Sequence, residues 1–294
     1  KCDNKKYSGM NEIITIGDTG LDSNHCMFKD DSAIYDKYLL HSNSISLPKY
    51  VSHSKIHSYI AVKEHISAYE YITTDYNDYE SGHGTHVMGI SSGNECDEIC
   101  GISSNSKLLV FDFSIDADDS DMLITPDNFD AMFETSYSSG SRIYSASWGT
   151  ESNEYTMRSF HMDDFMYKFD DYNIICAAGN SGLAGAGTIG SPATAKNVIT
   201  VGASTNSLES FFKVKYFSET DILQNKDYYE NQTLISFSSR GPTSDGRIKP
   251  EIIAPGMMIN SAKASDYNHK DFTTKMGTSQ ATPLVAGAIA NIRQ

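Results

Sequence analysis

From one end of the chain to the other, short apolar runs of strand length alternate with longer segments whose apolar residues fall at helical spacing. Parallel strands need long crossovers, and a helix laid over the sheet is the crossover that buries both partners, so the alternation predicts an α/β fold with a central, mostly parallel sheet and helices on both faces. Strands are expected at Glu12–Gly17, Lys107–Phe113, Arg142–Ser147, Asn173–Ala178 and Asn197–Gly202, most of them apolar enough to be buried on both sides. Helices are expected over Pro126–Ser138 and Tyr155–Asp171, with Phe129, Met132, Phe133, Phe160, Phe165 and Phe169 facing the core. Two stretches break the alternation, Asp36–Tyr79 (rich in Ser, His and Tyr) and Leu208–Gln232 (rich in Tyr, Asn and acids). Both read as surface insertions in one domain spanning 1–294.

The balance of 23 Lys plus Arg against 38 Asp plus Glu, a net charge of −15, repels phosphate backbones and anionic lipid surfaces, so no nucleic-acid partner is expected. No apolar run reaches the roughly 20 residues of a membrane-spanning helix. FDFSIDADDSD carries five aspartates between Asp112 and Asp121 but lacks the Gly and terminal Glu of an EF-hand loop, and reads as a solvated acidic loop. The sequon Asn231-Gln232-Thr233 agrees with a secretory route, and a secreted or endomembrane location is expected. Because the sequence opens at Lys1 and stops within a helical pattern, it reads as a fragment whose parent would hold any targeting segment, propeptide or membrane anchor.

Four blocks carry chemistry. IITIGDTGLD puts Asp18 directly after an apolar strand, at the carboxyl edge of the sheet, where a carboxylate can orient a histidine. Its Asp-Thr-Gly is also the signature of aspartic peptidases, but these need two carboxylates sharing a proton and the chain has no second Asp-Thr-Gly or Asp-Ser-Gly. In SGHGTHVMGI, His83 lies between Gly82 and Gly84 at a helix start; His83 and His86 have metal-ligand spacing, yet the HExxH glutamate and a third ligand are lacking, so no metal site is assigned. GTSQATPLVAGAIA leads Gly277-Thr278-Ser279 into a helix with Pro283 near its first turn. There the unpaired amides and the dipole favour the negative charge created when a serine attacks, although serine at such a place is more often a cap. In IICAAGNSG a buried strand runs into Asn180, whose amide can donate to a developing oxyanion.

Taken in the order Asp, His, Asn, Ser, these blocks resemble the subtilisin family of serine peptidases. The resemblance runs from about Asn11 to the end outside the two insertions, and takes in RIYSASWG at 142–149 and SSRGPTSDGRIKPEIIAPG at 238–256. It implies a serine endopeptidase with Asp18, His83 and Ser279 as triad, and with Asn180 and the Ser279 backbone N–H as oxyanion hole. It also implies a primary specificity pocket walled by Ser147, Trp148 and Gly149 on one side and Ala177, Ala178 and Gly179 on the other, with Gly190 at its base. None of these is charged, so a buried Lys or Arg would lose hydration without a counter-ion; apolar or aromatic residues are expected before the cut. The alternatives are a kexin-like processing peptidase for basic residues, since SWG occurs in that branch, and a pseudopeptidase that keeps the fold as a binding module.

Departures from the family pattern are Gln280 where relatives usually have Met, and Leu284 where many have His. The loop after the histidine helix, GNECDEICG, holds Cys96 and Cys100 where relatives often bind calcium. No cofactor is required, and a structural calcium is left without a site. Cys96 and Cys100 are expected to pair with each other, pairing with Cys2 or Cys26 being the alternative, and Cys176, in a buried strand, to be a free thiol. The expected partners are protein or peptide substrates and, for an enzyme made as a zymogen, an inhibitory propeptide.

Overall fold

The computed structural model describes residues 7–31, 37–41, 53–63, 65–66, 69–70, 78, 82–114, 123–126, 129–210, 233–265 and 267–294. In chain order the elements are β1 (Ile13–Asp18), β2 (Lys37–His41), β3 (Ile56–Lys63), β4 (His65–Ile66), β5 (Tyr69–Glu70), α1 (His83–Ser92), β6 (Lys107–Asp112), α2 (Asp130–Ser138), β7 (Ile143–Ala146), α3 (Met157–Lys168), β8 (Asn173–Ala177), β9 (Ile199–Ser204), β10 (Ile252–Pro255), β11 (Ile259–Ala262), β12 (Phe272–Lys275) and α4 (Thr278–Arg293). Eight strands form one sheet in the order β10-β9-β8-β7-β1-β6-β3-β2, and all seven pairings are parallel. The expected α/β class holds. All five expected strands form, with ends shifted by one or two residues.

Alternate residues of each strand feed opposite layers, as a pleat of period two requires. Ile14, Ile16, Leu108, Val110, Ile143 and Ile175 pack on one face with Val87 and Met88 of α1 and Ala281, Val285 and Ala286 of α4. Leu109, Phe111, Tyr144, Ala146, Ile174 and Cys176 pack on the other with Phe129, Met132 and Phe133 at α2 and Met162 and Phe165 of α3. α3 corrects one expectation: Ser159, Met162 and Phe165 define its buried side, which leaves Phe160 outside it and 46% exposed.

The stretch Asp36–Tyr79 is not merely a surface insertion, because it supplies β2 and β3 of the central sheet. Its Ser, His and Tyr content disguised β3, whose Ser58 and Tyr59 are fully buried with their polar atoms paired: Ser58 Oγ with His57 at 2.9 Å, and the Tyr59 hydroxyl donating to Asp112 at 2.8 Å. The second expected insertion, Leu208–Gln232, lies outside the described residues from 211 on. Asp112 is likewise no solvated acid: it is buried at the end of β6 and accepts from Tyr59 and Ser114, while 115–122 are outside the described residues.

Cys96 is bonded to Cys26, not to Cys100. Cys96 and Ile99 close a tight turn by exchanging backbone hydrogen bonds, and Asn94 N–H donates to Met27 O at 2.9 Å, which lays the turn against residues 26–27. Cys100 is also disulfide-bonded. Cys176 is the buried free thiol expected, its pKa pushed up to about 12 by burial.

Candidate active site

The site assembles where β1, β7 and β8 end, at the carboxyl edge of the sheet. β1 is flanked by β6 on one side and β7 on the other, so the loops leaving these strands diverge and open a crevice, as at the switch points of other parallel sheets. Asp18 is the last residue of β1 and is fully buried. His83 is the first residue of α1, following Gly82, whose φ of 57° suits glycine. A side chain at Gly84 would collide with the Gly20 carbonyl, so the glycine lets α1 dock against the loop that follows Asp18. His83 Nδ1–H thereby donates to Asp18 Oδ1 at 2.7 Å, and the carboxylate also accepts the Thr19 N–H at 2.8 Å. With 24% of its side chain exposed, His83 faces the crevice. Burial disfavours its charged form, but the charge and hydrogen bond of Asp18 outweigh that and raise its pKa.

Ser279 is the second residue of α4, and its hydroxyl donates to the Ser147 carbonyl at 2.8 Å instead of to His83. The reverse bond exists too: Ser147 Oγ–H donates to the Ser279 carbonyl at 2.8 Å. Pro283 explains it, because it lacks the N–H that would have satisfied that carbonyl within the helix. Asn180 Oδ1 accepts the Thr278 N–H at 2.9 Å and its hydroxyl at 3.1 Å. The backbone N–H can only donate, so the amide is fixed with its oxygen toward the start of α4.

Around these residues lies a cleft of about 600 Å³. Its lining includes His83, Asn180 and Ser279 together with Ser147, Trp148, Gly149, Ala177, Gly179 and Gly190. Ala178, expected in a wall, is instead fully buried in the core and contributes only backbone, its carbonyl accepting the Gly190 N–H at 3.0 Å. The subtilase family model matches residues 9–294.

The chain belongs to the subtilase family.

Among curated proteins this subtilase is 30% identical to the serine protease/ABC transporter B family protein tagD of Dictyostelium discoideum, over 97% of this chain and 19% of that protein. It is 37% identical to pyrolysin of Pyrococcus furiosus over 45% of this chain and 9% of that protein. The chain therefore spans a minor part of the length of these relatives. Among solved structures its fold resembles the Clostridium perfringens CspB protease, with a TM-score of 0.66 and 17% identity over 99% of this chain and 83% of the other. Membership makes the subtilase a serine peptidase by family.

Several groups in the site carry no sequence motif. Asp78 is buried behind the Asp18–His83 pair; it accepts the Thr19 hydroxyl at 2.8 Å and the Thr85 N–H of α1 at 2.7 Å, tying the loop after β1 to the helix that carries His83. Burial pushes its pKa up to about 8. Tyr59 of β3 accepts the Leu21 N–H at 3.0 Å and braces the same loop. Glu151 and Arg158 line the cleft, whereas Asp163 is turned into the protein, accepting from Tyr155, Lys196 and Asn197. Gln280 is buried beneath the site, its amide oxygen close to Gly277. Second-ligand logic fails at His86: its Nε2–H faces the Ile259 and Thr273 carbonyls at 3.1 Å, and burial drives its pKa down to about 3. Among the described residues no three His, Cys, Asp or Glu side chains cluster as metal ligands, and in the loop after α1 Cys96 is committed to its disulfide. No described helix is long and apolar enough to cross a membrane.

Proposed function

We propose that this subtilase is an active endopeptidase that cleaves through an acyl-enzyme. The observation that carries this reading is the Asp18–His83 hydrogen bond of 2.7 Å facing, in one cleft, a serine at the N-terminus of α4. With Nδ1–H held by Asp18, His83 presents the Nε2 lone pair. Catalysis requires the Ser279 hydroxyl to leave the Ser147 carbonyl and turn toward that nitrogen. Ser279 Oγ then attacks the scissile carbonyl as His83 takes its proton, the Asn180 amide and the Ser279 N–H stabilise the oxyanion, and His83 returns the proton to the leaving amine. Water activated by the same histidine hydrolyses the acyl-enzyme. Fluorophosphonate labelling tests the assignment: the native protein should react at Ser279, and Ser279→Ala and His83→Ala should not. A folded protein that fails to label is a pseudopeptidase.

For the residue preceding the cut, apolar or aromatic side chains fit best. Gly149, Ala177 and Gly190 leave room and bring no charge, and a side chain at Gly190 would run into the Thr150 carbonyl. Glu151, exposed on the cleft and bonded to Ser181 at 3.3 Å, favours the kexin-like reading instead. Fluorogenic peptides varied at this position decide: Arg or Lys over Phe, Leu and Tyr selects the second reading. The Cys26–Cys96 disulfide supports passage through an oxidising, secretory compartment, where an inhibitory propeptide would act on the same cleft.

A further inference from the structure

Arg158 has no visible work in holding the fold together. Arg142, Arg247 and Arg293 each bind a carboxylate, to Asp171 at 2.8 Å, Asp245 at 2.9 Å and Glu12 at 3.2 Å. Arg158 has no ion pair or hydrogen-bond acceptor among the described residues. It is the second residue of α3, a first turn without any acid. A cation there opposes the helix dipole, and the free amides of that turn add positive potential of their own. This places two like-signed influences side by side, with no acid paired to Arg158 among the described residues.

The location is the catalytic cleft. Arg158 lines it together with Leu123, Thr125 and Trp148, and its guanidinium carbon lies 6.0 Å from the centre of the Trp148 ring. Trp148 is held as a fixed platform: it stacks on Phe129 at an interplanar angle of 14° and meets Phe113 edge-on at 83°. A guanidinium steadied over such a face keeps its planar fork oriented, and that fork matches a carboxylate in two parallel hydrogen bonds.

We infer that Arg158, over the Trp148 ring, makes its part of the cleft a subsite for an acidic side chain at one position of the substrate. The inference rests on the peptidase reading above and narrows its substrate class to peptides with Asp or Glu at one defined position. Cation and carboxylate meet in a half-buried cleft, where a charge-assisted pair outweighs its counterpart in open water.

The test is a set of fluorogenic peptides in which Glu, Gln and Lys are placed in turn at each position around one cleavage site. The native protein should prefer Glu over Gln by on the order of tenfold in kcat/KM at a single position, and disfavour Lys there. Arg158→Gln should erase the preference at that position alone, Arg158→Lys should keep part of it, and Arg158→Glu should reverse it in favour of Lys. Fluorophosphonate labelling of each variant reports that Ser279 and His83 remain assembled. A charge profile unchanged in labelling-competent Arg158→Gln and Arg158→Glu overturns the subsite while leaving the peptidase reading intact. A native protein that neither labels nor cleaves overturns both.

Discussion

His83 carries opposing influences that sort into a pH prediction. Burial lowers its pKa, the charge and hydrogen bond of Asp18 raise it by more, and Lys275 lowers it again. Only the neutral imidazole can take the Ser279 proton, so activity is lost as pH falls through the raised pKa, and the acid limb of kcat/KM should lie above the ordinary histidine value of 6.5. Lys275→Met removes a positive charge, raises the pKa further and moves the limb to higher pH. An unmoved limb in the pH–rate profile would assign control of His83 to other groups. Asp78 acts differently, through position. Asp78→Ala leaves the Thr85 N–H and the Thr19 hydroxyl without their acceptor and loosens α1 from the loop carrying Asp18; kcat should fall on the order of 10²-fold with KM little changed, and Asp78→Asn should restore part of it. Equal activity in native and Asp78→Ala protein would show that the contact is ornamental. At this scale the sequence displays the groups proposed to react, since Asp18, His83, Asn180 and Ser279 each sit in a short motif near glycine or at a strand end. Asp78, Tyr59 and Arg158 are hidden, because each owes its role to burial or to a neighbour far away in the chain, and no local pattern encodes that.

Between elements, what the sequence yields depends on how plainly a strand shows its burial. β1, β6, β7, β8 and β9 are apolar on both faces and legible at once; β3 is buried by pairing its Ser and Tyr groups, so it reads as polar surface until Asp112 and Leu21 are seen beside it. The cysteines show the same limit: spacing favours Cys96 with Cys100, whereas the turn at Cys96 faces Cys26, 70 residues earlier. That long span makes the Cys26–Cys96 bond a restraint on the unfolded chain as well as a link between the loop after β1 and the turn after α1. Replacing both cysteines by Ala should cost about 2–5 kcal/mol of stability, read as a lowered midpoint in denaturant unfolding monitored without reductant. Because Cys96 follows the opposite end of α1 from His83, kcat at 25 °C should stay within about threefold; an unchanged midpoint would mean that the two loops are held by their other contacts, such as Asn94 to Met27.

Across the whole molecule, two electrostatic influences of opposite sign act on a substrate, and ionic strength separates them. The net charge of −15 draws cationic peptides toward the protein and repels anionic ones over distances set by screening, which shrinks from roughly 30 Å at 0.01 M to roughly 3 Å at 1 M salt. Arg158 acts at contact on a half-buried pair, where salt screens far less. For peptides matched except for Glu or Lys at the Arg158 position, kcat/KM for the Lys peptide should therefore fall as salt rises and that for the Glu peptide should climb, the changes residing in KM. The Glu-to-Lys ratio should grow steadily with salt and reach its largest value where long-range steering is gone and only the contact at Arg158 remains. Arg158→Gln alters one charge in a surplus of 15, so it should retain nearly the same salt slopes while its ratio levels off near unity. A native ratio that falls with salt would overturn the half-buried contact at Arg158, because the negative field of the whole molecule can only favour the Lys peptide and a preference lost to screening must come from an exposed positive charge.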